Sequence, residues 1–377
     1  MINRKSLAVI IPMLLATSSS TVNALELLNK HGNKLELYGS INPNREASHK
    51  ASSTKINSHD DNTNAIVGLS GNINITDNLS SYAVVEYGTS FFGPEELINK
   101  QQPNTIRLGY AGFKYGSWGS IDYGRNYGIM HDAEKFVQRT PYIHADSLFL
   151  DNDNYMLGRN NSLFTYRNDD VFGLIDGLSF AVQYQDQTKN RSESQQNHAG
   201  WGASLKYESD LGWAAVGTFF SSQKPQTLSR DKNIKNKLVN AYGLGLKYNN
   251  DNLYFAAFYG IANNVQPSQS YINHSLSKLY INKTQNVEAI AEYNFHVGFY
   301  PSLSYVRSEG KNSSLNNASD INISLEKEIN IATRYELSKN ISTYMNYKIN
   351  LLKKSEFVKI NKIPTDNIIG AGIVYKF

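Results

Sequence analysis

The stretch Ile341-Ser342-Thr343-Tyr344-Met345-Asn346-Tyr347-Lys348-Ile349-Asn350-Leu351 decides the fold of this chain. Ile341, Thr343, Met345, Tyr347, Ile349 and Leu351 share one parity, and Ser342, Tyr344, Asn346, Lys348 and Asn350 share the other. A β-strand sends successive side chains to opposite faces, so this segment is a strand with one apolar and one polar face. Trp201, Ala203, Leu205 and Tyr207 alternate with Gly202, Ser204, Lys206 and Glu208 in the same way. Tyr242, Leu244, Leu246 and Tyr248 likewise alternate with Ala241, Gly243, Gly245 and Lys247. A soluble sandwich gives the same alternation, so the connections must separate the two.

Working outward, short turns fall at Thr76-Asp77-Asn78, Tyr115-Gly116, Ile175-Asp176-Gly177, Ser209-Asp210, Asn249-Asn250-Asp251-Asn252, His296-Val297 and Ser338-Lys339-Asn340. Long polar loops lie around 42–64, 89–104, 127–161, 188–198, 223–237, 263–285, 310–321 and 353–366. Seven short turns alternating with eight long loops make sixteen strands. An even number of roughly ten-residue strands with alternating connections predicts an all-β, antiparallel transmembrane β-barrel. A closed sheet leaves no backbone group unsatisfied in lipid, and one of this size encloses an aqueous channel.

The third long loop runs from Asp122-Tyr123-Gly124-Arg125-Asn126-Tyr127-Gly128 to Gly158-Arg159 and Phe164-Thr165-Tyr166-Arg167-Asn168. Connections of more than about thirty residues are usually functional or disordered. This one carries the anchors Phe136, Tyr142, Ile143, Leu148, Phe149, Leu150, Tyr155 and Met156. It is expected to pack inside the barrel and narrow the channel.

The 377 residues contain no cysteine, which excludes a disulfide scaffold and a thiolate metal site. No cofactor is expected. Arg4 and Lys5 precede an apolar core from Leu7 to Leu15, and Val22-Asn23-Ala24 ends it with small outer residues. Residues 1–24 therefore read as a secretory signal peptide and 25–377 as the barrel domain. Losing Arg4 and Lys5 lowers the formal charge from +4 to +2, a balance that argues against a nucleic-acid partner.

The remainder resembles the enterobacterial general porins over essentially its whole length. The motifs are Asn29-Lys30-His31-Gly32-Asn33-Lys34-Leu35-Glu36-Leu37-Tyr38-Gly39, Asp122 to Gly128, and Phe172-Gly173-Leu174-Ile175-Asp176-Gly177-Leu178-Ser179-Phe180-Ala181-Val182-Gln183-Tyr184. Later come Lys339-Asn340-Ile341-Ser342-Thr343-Tyr344, Tyr347 to Leu352, Thr365-Asp366-Asn367-Ile368 and the closing Val374-Tyr375-Lys376-Phe377. The resemblance implies a trimeric outer-membrane channel for passive diffusion of ions and small hydrophilic solutes. It also implies a constriction where an acidic third loop faces a basic wall. Tyr375 and Phe377 correspond to the signal that the barrel-assembly machinery reads.

Carried over by position, Arg107 and Arg159 match the family's wall arginines. Two further wall bases are replaced by Ile66 and Ser40, and the loop acids by Gln138 and Tyr142, while Asp146 keeps an acid nearby. With so little acid facing Arg107 and Arg159, weak cation selectivity or a slight anion preference is expected. Glu95 and Glu96 of the second loop match the latch that reaches a neighbouring barrel, with Arg125 the expected partner and Arg159 second. Gly109, Ala111, Gly112, Gly116, Ser117, Gly119 and Ser120 are expected to let barrel walls pack closely. Lys353, Lys354, Lys359 and Lys362 in the last loop suit the phosphates of lipopolysaccharide. A sugar- or anion-preferring channel with Tyr142, Phe149 and Tyr155 as an aromatic track is the nearest alternative. An outer-membrane enzyme is a weaker one, because His59-Asp60-Asp61 and His144 form no catalytic or metal pattern.

Overall fold

The computed structural model describes residues 24–30, 32–48, 59–91, 105–139, 155–188, 196–223, 238–272, 275–312 and 321–377. Nineteen strand segments form one antiparallel sheet, and that sheet closes on itself. The Ile368–Lys376 strand pairs with Ile341–Asn350 on one side and with Asn33–Asn42 on the other, where Ser40 faces Lys376 and Ile41 faces Tyr375. Three segments are not separate walls: Asn44–Ser48 continues Asn33–Asn42, His59–Asp61 leads into Asn64–Asn74, and Leu25–Lys30 folds back on Asn33–Asn42. Sixteen wall strands remain, as the alternation of connections requires.

The expected short turns all lie at one end of the barrel and the long loops at the other. One short connection, 169–177, is longer than the three-residue turn read from the sequence. Val171, Phe172 and Gly173 there adopt left-handed backbone, and the Phe172 ring packs 5.8 Å from Trp118 and 5.9 Å from Phe180. The separate Leu25–Lys30 strand was not legible either. Gly32, at φ +81°, reverses the chain so that Leu25 faces Leu37. Among the described residues, the connection after Leu253–Asn263 carries a hairpin of Pro267–Ile272 with Ser275–Tyr280, and the last one a helix, α2, over Glu356–Ile360. Ser355 caps that helix, and the last-loop lysines sit on and beside it.

The two faces explain why the sheet closes. On Trp213–Gln223, Ala214, Val216, Thr218, Phe220 and Ser222 are buried, whereas Trp213 is exposed and Phe219 half-buried on the other face. Exposed aromatics form two belts, Tyr115, Trp118, Tyr207, Trp213, Phe295, Phe299 and Tyr375 near the short turns and Tyr87, Tyr184, Trp201, Tyr242, Tyr259 and Tyr347 near the long loops. Between them lie exposed Leu205, Leu244, Leu303, Ile331 and Met345. An apolar outer band between aromatic belts is a bilayer-facing surface. The opposite face carries Gln183, Ser204, Glu288, Glu292, Glu328 and Lys348, and therefore lines the lumen.

Candidate pore constriction

The third loop is held from its base inward. Gly128 N–H donates to the Gly158 carbonyl and Met130 N–H to that of Met156. A short helix, α1 (His131–Glu134), follows. Ile129 N–H donates to Gln183 Oε1 at 2.8 Å, while Gln183 Nε2 donates to the Tyr127 carbonyl and Thr165 Oγ1. Asp132 Oδ2 accepts from Arg167 at 2.7 Å and from Ser204 at 2.8 Å. Burial alone would push the Asp132 carboxyl up, but Arg167 and Lys135 hold it well below the carboxylate range. Burial pushes the His131 imidazole down to about 3, with Lys135 adding to the effect.

Ile129, Met130, Ala133, Phe136 and Val137 join Val216, Phe220, Ala241, Tyr254 and Phe258 of the lumenal wall in one buried cluster. Each large apolar side chain so buried contributes about 2 kcal/mol. Tyr155 stacks on Phe220 with ring centres 6.0 Å apart, and Tyr254 O–H donates to the Phe136 carbonyl. At Gly245 a Cβ would lie 2.6 Å from the Ala133 carbonyl oxygen, so only glycine admits the helix this close. The described parts of the loop thus lie against the inner wall, with Phe136, Tyr155 and Met156 as the anchors the sequence marked. Tyr155 serves loop packing rather than an aromatic track.

A band of wall residues gathers the expected positions. Ser40 faces Ile66, and Ile66 faces Gly88. Arg107 is the extra residue of a β-bulge, between Glu86 opposite Leu108 and Tyr87 opposite Ile106. A bulge re-aims a side chain, and here the Arg107 stem lies over Gly88 while its Nε donates to Glu86 Oε1 at 2.6 Å. Tyr38 O–H donates to Glu86 Oε2 at 3.2 Å. The expectation that little acid faces Arg107 is therefore corrected: Glu86, on the neighbouring strand, neutralises it. Arg159 faces Tyr127, with its guanidinium 5.9 Å from that ring. Tyr127 also stacks on His131 at 4.1 Å. Among the described residues, no carboxylate lies within ion-pair distance of Arg159.

Where the described loop ends, Arg139 inserts between wall strands. Its guanidinium lies 4.0 Å from the Tyr254 ring centre and 2.7 Å from Glu292 Oε1. Glu292 also meets Arg334 at 3.6 Å, and Arg334 lies over Tyr300 and pairs with Glu336. Gln138, beside it, has a buried Nε2 without a hydrogen-bond partner. Tyr142, Phe149 and Asp146 lie outside the described residues, as do Glu95, Glu96 and His144 and the side chains of His59 and Asp60. Asp61 accepts from Thr63 N–H at 2.9 Å, the ordinary work of a turn aspartate.

Arg125 shares the outer face with Tyr123 and Ile121, opposite Gly109. It donates to the Ile106 carbonyl and to Asn161 Oδ1, each at 2.8 Å. Of the small residues expected on the outside, Gly109 and Ala111 are there. Gly112 and Ser120 share the lumenal face with Asp122, because Gly112 pairs with Asp122 and Ser120 keeps its parity; both are buried. Gly116, Ser117 and Gly119 belong to the turn. Phe377 exchanges both backbone hydrogen bonds with Gly39, at 2.9 and 3.0 Å, and Tyr375 faces Ile341 and Ile41.

Sequence reading missed Glu86, Asp132, Arg139 and Glu292. Glu86 had a signal, an isolated acid on the inward parity of Tyr82-Ala83-Val84-Val85-Glu86-Tyr87. The wall partners of Arg139 and Asp132 lie too far along the chain for spacing to reveal.

The model of the Gram-negative porin family matches residues 30–377. A porin-like protein of Buchnera aphidicola subsp. Acyrthosiphon pisum is 60% identical over 385 residues, covering 100% of both chains. Outer membrane protein F of Serratia marcescens is 38% identical over 385 residues, again covering 100% of each. Among solved structures, Salmonella typhi OmpF in complex with daunomycin superposes with a TM-score of 0.82 at 34% identity, over 93% of this chain and 99% of that one. With its closed sixteen-stranded wall and polar lumen, the chain belongs to the Gram-negative porin family, the outer-membrane channels for non-specific diffusion.

Proposed function

We propose that this porin passes small hydrophilic solutes through a constriction that discriminates only weakly by charge, lined on the wall by Ser40, Ile66, Arg107 and Arg159 and on the loop by Gln138, Tyr142 and Asp146. The observation that carries this reading is the Arg107–Glu86 pair at 2.6 Å. Of four positions that are basic in the family, two have lost their charge and a third is neutralised, which leaves Arg159 to act alone. Passage involves no chemical step, and the assembly is a homotrimer packed through the wall that carries Gly109 and Ala111, latched by Glu95 and Glu96 onto Arg125 of a neighbour. Residues 1–24 are removed on export, Tyr375 and Phe377 present the chain to the assembly machinery, and the last-loop lysines meet lipopolysaccharide. Reversal potential in a potassium chloride gradient across a planar bilayer tests the reading of the pore. A value near zero is expected; strong selectivity of either sign refutes it. Saturable block of the current by a sugar would favour the substrate-preferring alternative, and hydrolysis of peptide or lipid by the purified protein an enzyme.

A further inference from the structure

Tyr38 faces Gly68, and Gly68 faces Glu86, on the rung of the wall next to Ser40 and Ile66 and nearer the short turns. Leu35 and Ile41 are exposed on the outside, so Tyr38, of the opposite parity, belongs to the lumen. Its ring does not stand up into the channel. A Cβ on Gly68 would lie 2.2 Å from Tyr38 Cζ and 2.6 Å from its Cε2. The ring therefore lies flat across the glycine, and its hydroxyl reaches Glu86 Oε2 on the strand beyond. Tyr38 is half-buried: backbone covers one face, and the other is turned to the channel.

Polar groups border this ring along one edge. Glu86 Oε1 accepts from Arg107 Nε at 2.6 Å. Among the described residues that is the one hydrogen bond Arg107 makes, so its terminal N–H groups are left to donate elsewhere, from a side chain 22% exposed. The carboxylate likewise keeps acceptor capacity beyond the two bonds it takes. Acid and base cancel, which leaves a neutral edge with donors and acceptors side by side. One rung further toward the short turns, Tyr110 is also half-buried and stands edge-on to Tyr82, with ring centres 6.4 Å apart.

An ion gains nothing net from such an edge. A flat apolar solute would leave the donors of Arg107 unmet, and an open-chain polyol has no fixed C–H face to lay on a ring. A pyranose has both parts. Its C–H face carries the positive partial charge that the negative face of an aromatic ring attracts, and its hydroxyls stand around the rim. A few polar groups set beside an apolar surface are what orients a small ligand.

We propose that Tyr38 is a stacking platform for pyranose sugars, with Arg107 and Glu86 taking the hydroxyls at the ring edge. The platform rests on the pore reading given above and names the solute class that this pore favours. One shallow platform releases its sugar too quickly to block the current, so the preference shows in flux.

Swelling of liposomes that carry the complete protein compares entry of glucose with that of sorbitol, which is similar in size and lacks the ring. The glucose-to-sorbitol ratio should fall about threefold in Tyr38→Leu; a ratio cancels any widening of the channel by the smaller side chain. Tyr38→Phe keeps the ring and should keep the parent ratio. An equal ratio in parent and Tyr38→Leu overturns the platform. A ratio lost in Tyr38→Phe as fully as in Tyr38→Leu overturns stacking in favour of hydrogen bonding by the hydroxyl. Entry of nicotinamide that depends on Tyr38, with no such dependence for glucose, overturns it in favour of flat aromatic solutes. Reversal potential in potassium chloride keeps the two readings apart: it should stay near zero in parent and Tyr38→Leu alike. Strong selectivity would refute the weak discrimination by charge, whereas the glucose-to-sorbitol ratio alone decides the platform.

Discussion

Replacing Glu86 with Gln should convert the pore to anion preference. Gln keeps an acceptor oxygen for Arg107 Nε and turns its amide N–H to donate to the Tyr38 hydroxyl oxygen, groups that now lie 2.6 and 3.2 Å from the carboxylate, but removes the charge that cancels Arg107. An ion passing about 6 Å from the bared guanidinium feels ~0.7 kcal/mol in water. At about 0.1 M salt, screening leaves ~0.4 kcal/mol. Anions gain what cations lose, so the discrimination is ~0.8 kcal/mol, about a fourfold rise in anion-to-cation permeability. At about 1 M salt the Debye length falls to ~3 Å and the rise should shrink below about 1.5-fold. Arg107→Gln should give the mirror shift toward cations, and the double variant should return near the parent, since the two residues share one interaction. Reversal potentials of the four proteins at both salt concentrations check this. An unchanged reversal potential in Glu86→Gln, or a shift of the same size at high salt, would refute an electrostatic role for the pair.

The loop-to-wall clamp yields a second expectation: Arg139→Ala strands the Glu292 carboxylate, 3% exposed, with Arg334 as its remaining cation. Breaking such a pair costs about 2–3 kcal/mol after that compensation, so single-channel records should show larger and noisier conductance; an unaltered trace would mean that apolar packing holds the loop alone. His131 gives a pH dependence. Its folded-state pKa, about 3, lies below the ordinary 6.5, so its contribution is complete above 6.5 and is lost as pH falls toward 3, by about 2 kcal/mol at pH 5. Hydrogen-exchange protection factors of 129–137, referred to the intrinsic rate at each pH, should fall on acidification in the parent and stay level in His131→Phe, which keeps the stack on Tyr127. Finally, Glu95→Ala with Glu96→Ala should lower the melting temperature of the trimer seen in native electrophoresis, and unchanged melting would remove the latch.

Parity and connection length sufficed for the barrel because both report on geometry that repeats in every strand. Ile341–Asn350 places Ser342, Tyr344, Asn346 and Lys348 inward, as the sequence indicated. The constriction was only half legible. Ser40, Ile66 and Arg107 do meet in one band, but Arg107 reaches it through a one-residue bulge, and no parity rule anticipates an extra residue. Its neutralisation by Glu86 depends on the register between adjacent strands. Arg139 stands at a loop position where the sequence offered no reason to expect a wall contact, and its partner Glu292 lies 153 residues away. The Leu25–Lys30 strand escaped notice because its boundary is one left-handed glycine rather than a change of pattern.

That strand bears on how the molecule comes to exist. Asn33–Asn42 offers a single edge to two partners, Leu25–Lys30 along one part and Ile368–Lys376 along the other, with Gly39 bonded to Phe377. The local partner is available at once, while the distant one arrives after almost everything else has emerged. Joining segments so far apart is entropically slow, and until it happens two open strand edges can recruit other chains. The early hairpin shields part of the waiting edge and leaves the stretch from Gly39 onward unpaired. Closing the seam should therefore be the slowest step of assembly, and damage there should reveal itself as aggregated precursor rather than as a faulty channel.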